Sequence, residues 1–212
     1  MTADPFGAAA EWVRGGGLLA YPTESVWGLG ADAVSPPALE RLRRWKRRGL
    51  DEPISILVED LDALAALGFA PGERAARLAA AFWPGPLTLV LPCTGRFAPG
   101  VARADGAVGV RCSSHPVAAA LARRLRAEGV GPITATSLNR SGESAARSRD
   151  EAAAACRPAA DAPQLLDVEG AEALGTGDST VVDLTCPRPE VLRWGALGEA
   201  ELDPVFRTLG AP

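Results

Sequence analysis

The sequence predicts an α/β protein: a single domain with a twisted, mixed β-sheet flanked by helices. Three observations carry this. Seven short apolar runs are bounded by Gly, Pro or charge and read as strands. Helical patterns lie between several of them, the alternation of a sheet layered with helices. The 18 Pro and 23 Gly, with closely spaced strands late in the chain, point to a mixed sheet and not a purely parallel one.

In order, a helix over 6–14 leads to a strand at 17–21, stopped by Pro22. A helix over 36–47 follows, then a strand at 54–58 between Pro53 and Glu59. The uncharged stretch 78–95 approaches membrane-spanning length but is broken by Pro84-Gly85-Pro86 and Pro92, so it reads as the end of a helix over 72–82, a turn and a strand at 87–91. A strand at 108–110 ends at Arg111, and His115 precedes Pro116 at the start of a helix over 116–128. Strands at 133–135, 165–168 and 180–184 and helices over 148–156 and 198–209 complete the pattern, with a loop at 157–163.

The 212 residues suit one domain with a substantial core, and 47% apolar with 23% charged residues excludes disorder throughout. Residues 1–11 lack the charge and apolar core of a secretion signal, so the expected location is cytoplasmic, with no membrane association. Cys93, Cys112, Cys156 and Cys186 are widely spaced without a CxxC pair; four buried free thiols are expected, and no metal site. Residues 1–150 carry 18 basic and 15 acidic side chains, against 4 and 11 in 151–212, an asymmetry that suits an anionic ligand on the first part. Of the 22 basic residues only Lys46 is lysine, which singles it out as a position needing an ammonium.

Lys46 belongs to Arg41-Leu-Arg-Arg-Trp-Lys-Arg-Arg48, six cations in eight residues. On a helical wheel Leu39, Leu42 and Trp45 form the inward stripe, and Lys46 falls about 40° from Leu42. It therefore flanks the buried stripe at the helix C-terminus. Three readings stay open for this segment: a solvated basic face, a nucleic-acid surface, or a phosphate site completed by Arg48 and the 49–53 loop. Three loops gather hydroxyls, amides and glycines at strand ends: Tyr21-Pro-Thr-Glu-Ser-Val-Trp-Gly-Leu-Gly30, Thr134-Ala-Thr-Ser-Leu-Asn-Arg-Ser-Gly142 and Gly175-Thr-Gly-Asp-Ser-Thr180. Each could be a self-capped turn or a ligand loop. None has a P-loop or dinucleotide-fold glycine pattern. Arg111 could serve a structural ion pair or grip a carboxylate, and His115 reads as a cap or surface residue, without a triad around it.

Taken together the segments resemble the YrdC/TsaC family of threonylcarbamoyl-AMP synthases. The resemblance rests on the first loop, Lys46-Arg-Arg48 with Pro53, Phe82-Trp-Pro-Gly-Pro-Leu-Thr-Leu-Val90, Val108-Gly-Val-Arg111, Ala135-Thr-Ser-Leu-Asn-Arg-Ser-Gly142, Ser179-Thr-Val-Val-Asp183 and Leu192-Arg193. These occur in the family's order over residues 15–195, and the chain resembles the short form of the family. The resemblance implies a large concave, positively charged cavity in which L-threonine, bicarbonate and ATP give threonylcarbamoyl-AMP and pyrophosphate, a nucleotidyl transfer. It implies Lys46 and Arg48 as catalytic residues on the ATP phosphates, with Asn139 and Arg193 also on the nucleotide. Thr23, Ser25, Arg111, Ser137 and Ser179 would surround threonine, Arg111 pairing with its carboxylate. Mg2+ would accompany ATP without a protein cage. A downstream tRNA threonylcarbamoyltransferase, and tRNA itself, are the implied partners. An RNA-binding module for double-stranded RNA or tRNA and a carbamoyl-transfer relative are the alternatives on the same fold. Ser25, Trp27, Gly49, Glu52 and Leu57 depart from the family pattern; Glu52 would set a negative charge near the phosphates unless it turns away or pairs with Arg47.

Overall fold

The computed structural model describes residues 4–49, 52–159, 161–172, 175 and 177–209. Leu50, Asp51 and Thr176, which fall within two of the loops singled out above, lie outside the described residues. In chain order the elements are α1 (Pro5–Arg14), β1 (Leu19–Tyr21), β2 (Gly28–Gly30), α2 (Pro36–Lys46), β3 (Ile56–Leu57), α3 (Ala63–Ala66), α4 (Glu73–Phe82), β4 (Leu87–Pro92) and β5 (Ala107–Arg111). There follow α5 (Pro116–Ala127), β6 (Thr136–Ser137), α6 (Arg149–Ala155), β7 (Gln164–Leu165), β8 (Thr180–Asp183), β9 (Glu190–Arg193) and α7 (Glu199–Thr208). None of the described helices is long and apolar enough to cross a membrane.

The helices begin where local chemistry satisfies their free N–H groups. Asp4 accepts from the Gly7 amide at 3.0 Å and Pro5 opens α1. Ser148 accepts from the Glu151 amide at 3.1 Å. His115 Nδ1 accepts from the Val117 amide at 3.2 Å ahead of Pro116. His115 is thus a cap, as the sequence suggests, but a buried one. Helix α2 ends on Arg47 in the left-handed conformation, φ 56°, unusual for a residue with a side chain. That turn sends the backbone round so that the Arg48 amide reaches the Arg43 carbonyl at 3.1 Å.

The strands form two mixed sheets where the sequence predicts one. The first has the order β6-β2-β1-β7 and the second β3-β5-β4-β8-β9. In the first, β1 runs antiparallel to β2, pairing Leu19 with Gly30, and parallel to β7. In the second, β4 is antiparallel to β5 and parallel to β8, while β9 pairs with β8 across an irregularity at Val181/Val182. An isolated bridge between Ile56 and Thr134 joins the two. The strand expected at 133–135 forms instead at Thr136–Ser137. Its physical reason is Thr134, whose hydroxyl donates to the Leu29 carbonyl and accepts from the Ala31 amide, each at 3.0 Å, replacing the regular ladder. Strand β2, read above as part of a loop, is glycine-rich because it lies against large side chains. A Cβ on Gly28 would stand 2.7 Å from Tyr21 Cζ.

Two cores hold these layers together. The larger runs through Leu18, Trp27, Leu29, Leu42, Trp45, Leu78 and Leu89; the smaller packs α1 and α5 on β1 through Val13, Leu19, Tyr21 and Leu121. Burial of such side chains supplies the main driving force of the fold. The inward stripe of α2 is as the wheel predicts, and Lys46 on its flank is buried. Arg43 is buried as well, donating to the Gly100 carbonyl at 2.9 Å and to that of Gly49. Of the four cysteines, all free, Cys112 is buried, Cys93 and Cys156 are half-buried and Cys186 is exposed, so the expectation of four buried thiols holds in full only at Cys112 and fails outright at Cys186. It follows β8 on a solvent-facing turn, where no element covers it.

Candidate active site

Residues from both sheets line a cavity of about 260 Å³. The β1–β2 loop contributes Thr23 and Ser25, the end of α2 Arg48, β5 Arg111, and the β6 strand Thr136 and Ser137. Ser179 enters from the start of β8 and Arg193 from β9, with Arg103 and Asp178 completing the charged lining. Four arginines and one carboxylate are among the lining residues, and Glu52, Glu24, Asp105 and Asp183 pair with three of those arginines. Seven of the nine residues predicted from the sequence thus meet in one place: Thr23, Ser25, Arg48, Arg111, Ser137, Ser179 and Arg193.

Lys46 and Asn139 stand behind that wall. The Lys46 ammonium donates to the carbonyl oxygens of Ser137 at 2.5 Å and Asn139 at 3.0 Å, and to Asn139 Oδ1 at 3.1 Å. Three donors meet three acceptors, and the Ser137 hydroxyl shares Asn139 Oδ1 at 2.6 Å. Burial, then the charge of Arg48, pulls the lysine down to about 8, Glu52 opposing weakly. In this arrangement Lys46 braces the 137–139 segment, and contact with a phosphate requires exchange of one of those carbonyl bonds.

At the cationic end, Arg48 donates to the Pro53 carbonyl at 3.1 Å and lies 3.5 Å from Thr136 Oγ1. Its Nε is 3.2 Å from a Glu52 carboxylate oxygen but poorly aligned for a hydrogen bond. Glu52 therefore pairs with Arg48, one helical turn away in sequence, and not with Arg47. Burial lowers the proton affinity of Arg48, Glu52 raises it, and the charge of Arg193 lowers it again. Arg193 donates to the Ser179 carbonyl at 2.9 Å and hydroxyl at 3.1 Å, and that hydroxyl meets Thr88 Oγ1 at 2.9 Å. Arg48 and Arg193 thus face one space, and guanidinium groups so placed are of the kind that suits a polyanion.

The other end is organised around Arg111, 8% exposed. Its Nη2 donates to Glu24 Oε1 at 2.8 Å and Ser25 Oγ at 2.6 Å. Ser25 Oγ is 3.0 Å from Thr23 Oγ1, which donates to the Val26 carbonyl at 2.6 Å. Directional bonds therefore run from Arg111 through both hydroxyls into the loop backbone. Glu24, 3% exposed, also accepts from the Ser113 hydroxyl. Burial pushes the Glu24 carboxyl up, but Arg111 and Ser113 outweigh it and leave the group below its ordinary value. Breaking such a buried pair by removing one partner costs about 3–5 kcal/mol. Of the two readings left open by the sequence, the structural ion pair is present, and the same side chain lines the cavity. The sequence reading assigns no role to Glu24 or Arg103; the partners Arg111 and Asp183 lie 87 and 80 residues away.

The Sua5/YciO/YrdC domain model, described as telomere recombination, matches residues 11–195. The chain belongs to the Sua5/YciO/YrdC family. A threonylcarbamoyl-AMP synthase from Chromohalobacter salexigens is 39% identical over 184 residues, 86% of this chain and 94% of that protein. One from Xanthomonas campestris pv. campestris is 40% identical over 148 residues, 67% of this chain and 75% of that protein. Among solved structures, Sua5 of P. abyssi complexed with L-threonine superposes with a TM-score of 0.84 at 34% identity, over 94% of this chain. The chain spans 56% of that protein. The fold is thus shared with relatives, and the resemblance seen in the sequence motifs is borne out.

Proposed function

We propose that this chain is a threonylcarbamoyl-AMP synthase, a nucleotidyltransferase that condenses L-threonine, bicarbonate and ATP. The observation that carries the reading is one cavity with two chemically different ends: a buried arginine ringed by hydroxyls at one, and the Arg48 and Arg193 guanidinium groups at the other. The first suits an amino-acid carboxylate, the second a triphosphate. Relatives named for this synthase favour it over the RNA-binding and carbamoyl-transfer alternatives.

The threonine amine attacks bicarbonate, giving a carbamate with loss of water. A carbamate oxygen then attacks the α-phosphorus of ATP, the bond to the bridging oxygen breaks, and pyrophosphate leaves with its electron pair. Bicarbonate, the threonine carboxylate, the carbamate and the ATP phosphates are all anionic groups, so the protein must gather them against mutual repulsion and align the attack. Arg48 and Arg193 hold the phosphates and stabilise the departing charge. Arg111, with Thr23 and Ser25, orients threonine, while Ser137 and Ser179 offer hydroxyls between the two ends. Lys46 and Asn139 hold the Ser137 segment in place and reach the nucleotide by exchange of a hydrogen bond. Asp178, the one carboxylate among the lining residues, is a hard oxygen donor suited to a magnesium ion carried on the triphosphate, which supplies further neutralisation of charge. The product would pass to a tRNA threonylcarbamoyltransferase in the cytoplasm.

Pyrophosphate release from ATP and bicarbonate, with L-threonine, L-serine or no amino acid, tests the reading. Release that depends on threonine is expected; equal release without an amino acid, or none at all from folded protein with magnesium, overturns it.

A further inference from the structure

Glu24 does not line the cavity, yet it fixes a side chain that does. Arg111 Nη2 spends its two protons on Glu24 Oε1 and Ser25 Oγ, while its Nε is buried without a hydrogen-bond partner among the described residues. A guanidinium gripped at a single nitrogen can swing about that point unless the grip itself is rigid. Here it is. The second oxygen of Glu24 is held by the Ser113 hydroxyl, and Ser113 Oγ in turn accepts from the His115 amide at 3.2 Å, at the capped start of α5. The carboxylate is thus tied through Ser113 to the start of α5.

We infer that Glu24 is a positioning residue for the amino-acid end of the site: with Ser113 it locks Arg111 so that the remaining terminal nitrogen, Nη1, meets the substrate carboxylate, and it does so without touching the substrate. The inference rests on the synthase reading. A carboxylate is required at this position because it balances a guanidinium that would otherwise be buried with its charge uncompensated, and because its two oxygens bond Arg111 and Ser113 at once.

The test varies threonine and ATP separately in the pyrophosphate assay of the full chain, and measures threonine binding by calorimetry, for wild type, Glu24→Gln, Glu24→Ala and Ser113→Ala. Glu24→Ala is expected to raise the threonine KM about ten-fold or more while the ATP KM stays within about two-fold, since one charge-assisted hydrogen bond is worth that much. Glu24→Gln keeps an acceptor for Nη2 and is expected to recover part of the loss. Where the alanine variant does not fold, Ser113→Ala removes a single bond to Glu24 and is expected to raise the threonine KM alone, by about three-fold. A threonine affinity that is unchanged or tighter in Glu24→Gln overturns the inference, as does a fall in kcat with both KM values intact. A wild type that neither binds nor turns over threonine overturns the synthase reading and this inference with it; a working wild type with unaltered variants overturns the inference alone.

Discussion

Lys46 Nζ donates to the carbonyl oxygen of Ser137 at 2.5 Å, across 91 residues of sequence. The end of helix α2 is thereby fastened to strand β6, on which Thr136 and Ser137 face the cavity. Because burial lowers this lysine to about 8, its charge is in play near neutral pH. The unfolded chain binds more protons than the folded one between about pH 8 and the ordinary lysine value of 10.5, so Lys46 makes the fold more stable as pH rises through that window. Under the proposed mechanism function runs the other way, since there Lys46 meets the phosphates as an ammonium. The expected kcat/KM for ATP is therefore flat below about pH 8 and falls above it, and Lys46→Met lowers activity about 100-fold and abolishes that step. A pH series of kcat/KM on both proteins checks it; an unchanged alkaline limb in the variant rejects the assignment.

Glu52 lies 3.2 Å from Arg48 with its own side chain 53% exposed. A pair so open to solvent contributes little to stability, yet its negative charge competes with phosphate for the same guanidinium. Glu52→Gln is expected to lower the KM for ATP about two- to five-fold, leave the melting temperature within about 1 °C, and weaken the dependence of ATP binding on salt. Titration of ATP affinity at two ionic strengths separates this from a structural effect, which would move the melting temperature instead.

How far these residues were legible differs from one to the next. Helical periodicity alone places Lys46 at the edge of the buried stripe, and there it is found. Arg43 is given no role by the sequence, although the same wheel sets it about 40° from Leu39; the structure buries it on the carbonyls of Gly49 and Gly100, and no spacing rule could show that a loop 57 residues away would supply its acceptor. Hydroxyl-rich loops mark Thr23, Ser25, Ser137 and Ser179 correctly as cavity residues. The carboxylate of Glu24 is visible in the same loop but receives no role, because its partner Arg111 is 87 residues distant. Strand β9 escapes for another reason: it is an edge strand, mostly exposed, and lacks the alternation that betrays a half-buried one. The division into two sheets is likewise invisible, because local patterns specify strands and not their neighbours.

Gly28 lines the cavity and faces the buried ring of Tyr21, whose hydroxyl donates to the Thr134 carbonyl at 3.0 Å. An added methyl would stand 2.7 Å from Tyr21 Cζ, and the ring, fixed at its far end by that hydrogen bond, has no room to retreat. Gly28→Ala is expected to cost about 2 kcal/mol of stability, as overpacking of a core does, and to reduce threonine-dependent turnover by distorting the β1–β2 loop. Chemical denaturation gives the first, the pyrophosphate assay the second. A variant as stable and active as wild type would mean that Tyr21 can move.

His115 is the chain's only histidine, and in a site of this kind a lone histidine invites assignment as a base. Its geometry argues otherwise. Nδ1 accepts from the Val117 amide at 3.2 Å, and Nε2 is 2.8 Å from the Glu172 carbonyl oxygen. An acceptor on one nitrogen and a carbonyl facing the other fix the neutral tautomer that carries its proton on Nε2. Both nitrogens are thus committed to backbone, and the ring lines no part of the cavity. Its work is to cap α5 and to fasten the segment around Glu172 to that helix. His115→Ala removes the cap, which costs about 1 kcal/mol, and leaves the Glu172 carbonyl without its donor, which adds about 1 kcal/mol more. The expected result is a loss of about 2 kcal/mol in denaturant unfolding, with the threonine and ATP KM values within about two-fold of wild type because neither substrate meets the ring. His115→Asn, whose amide is also a strong cap, is expected to recover about half of the lost stability. A large drop in kcat in either variant at a temperature where the protein remains folded would make the histidine part of the chemistry after all.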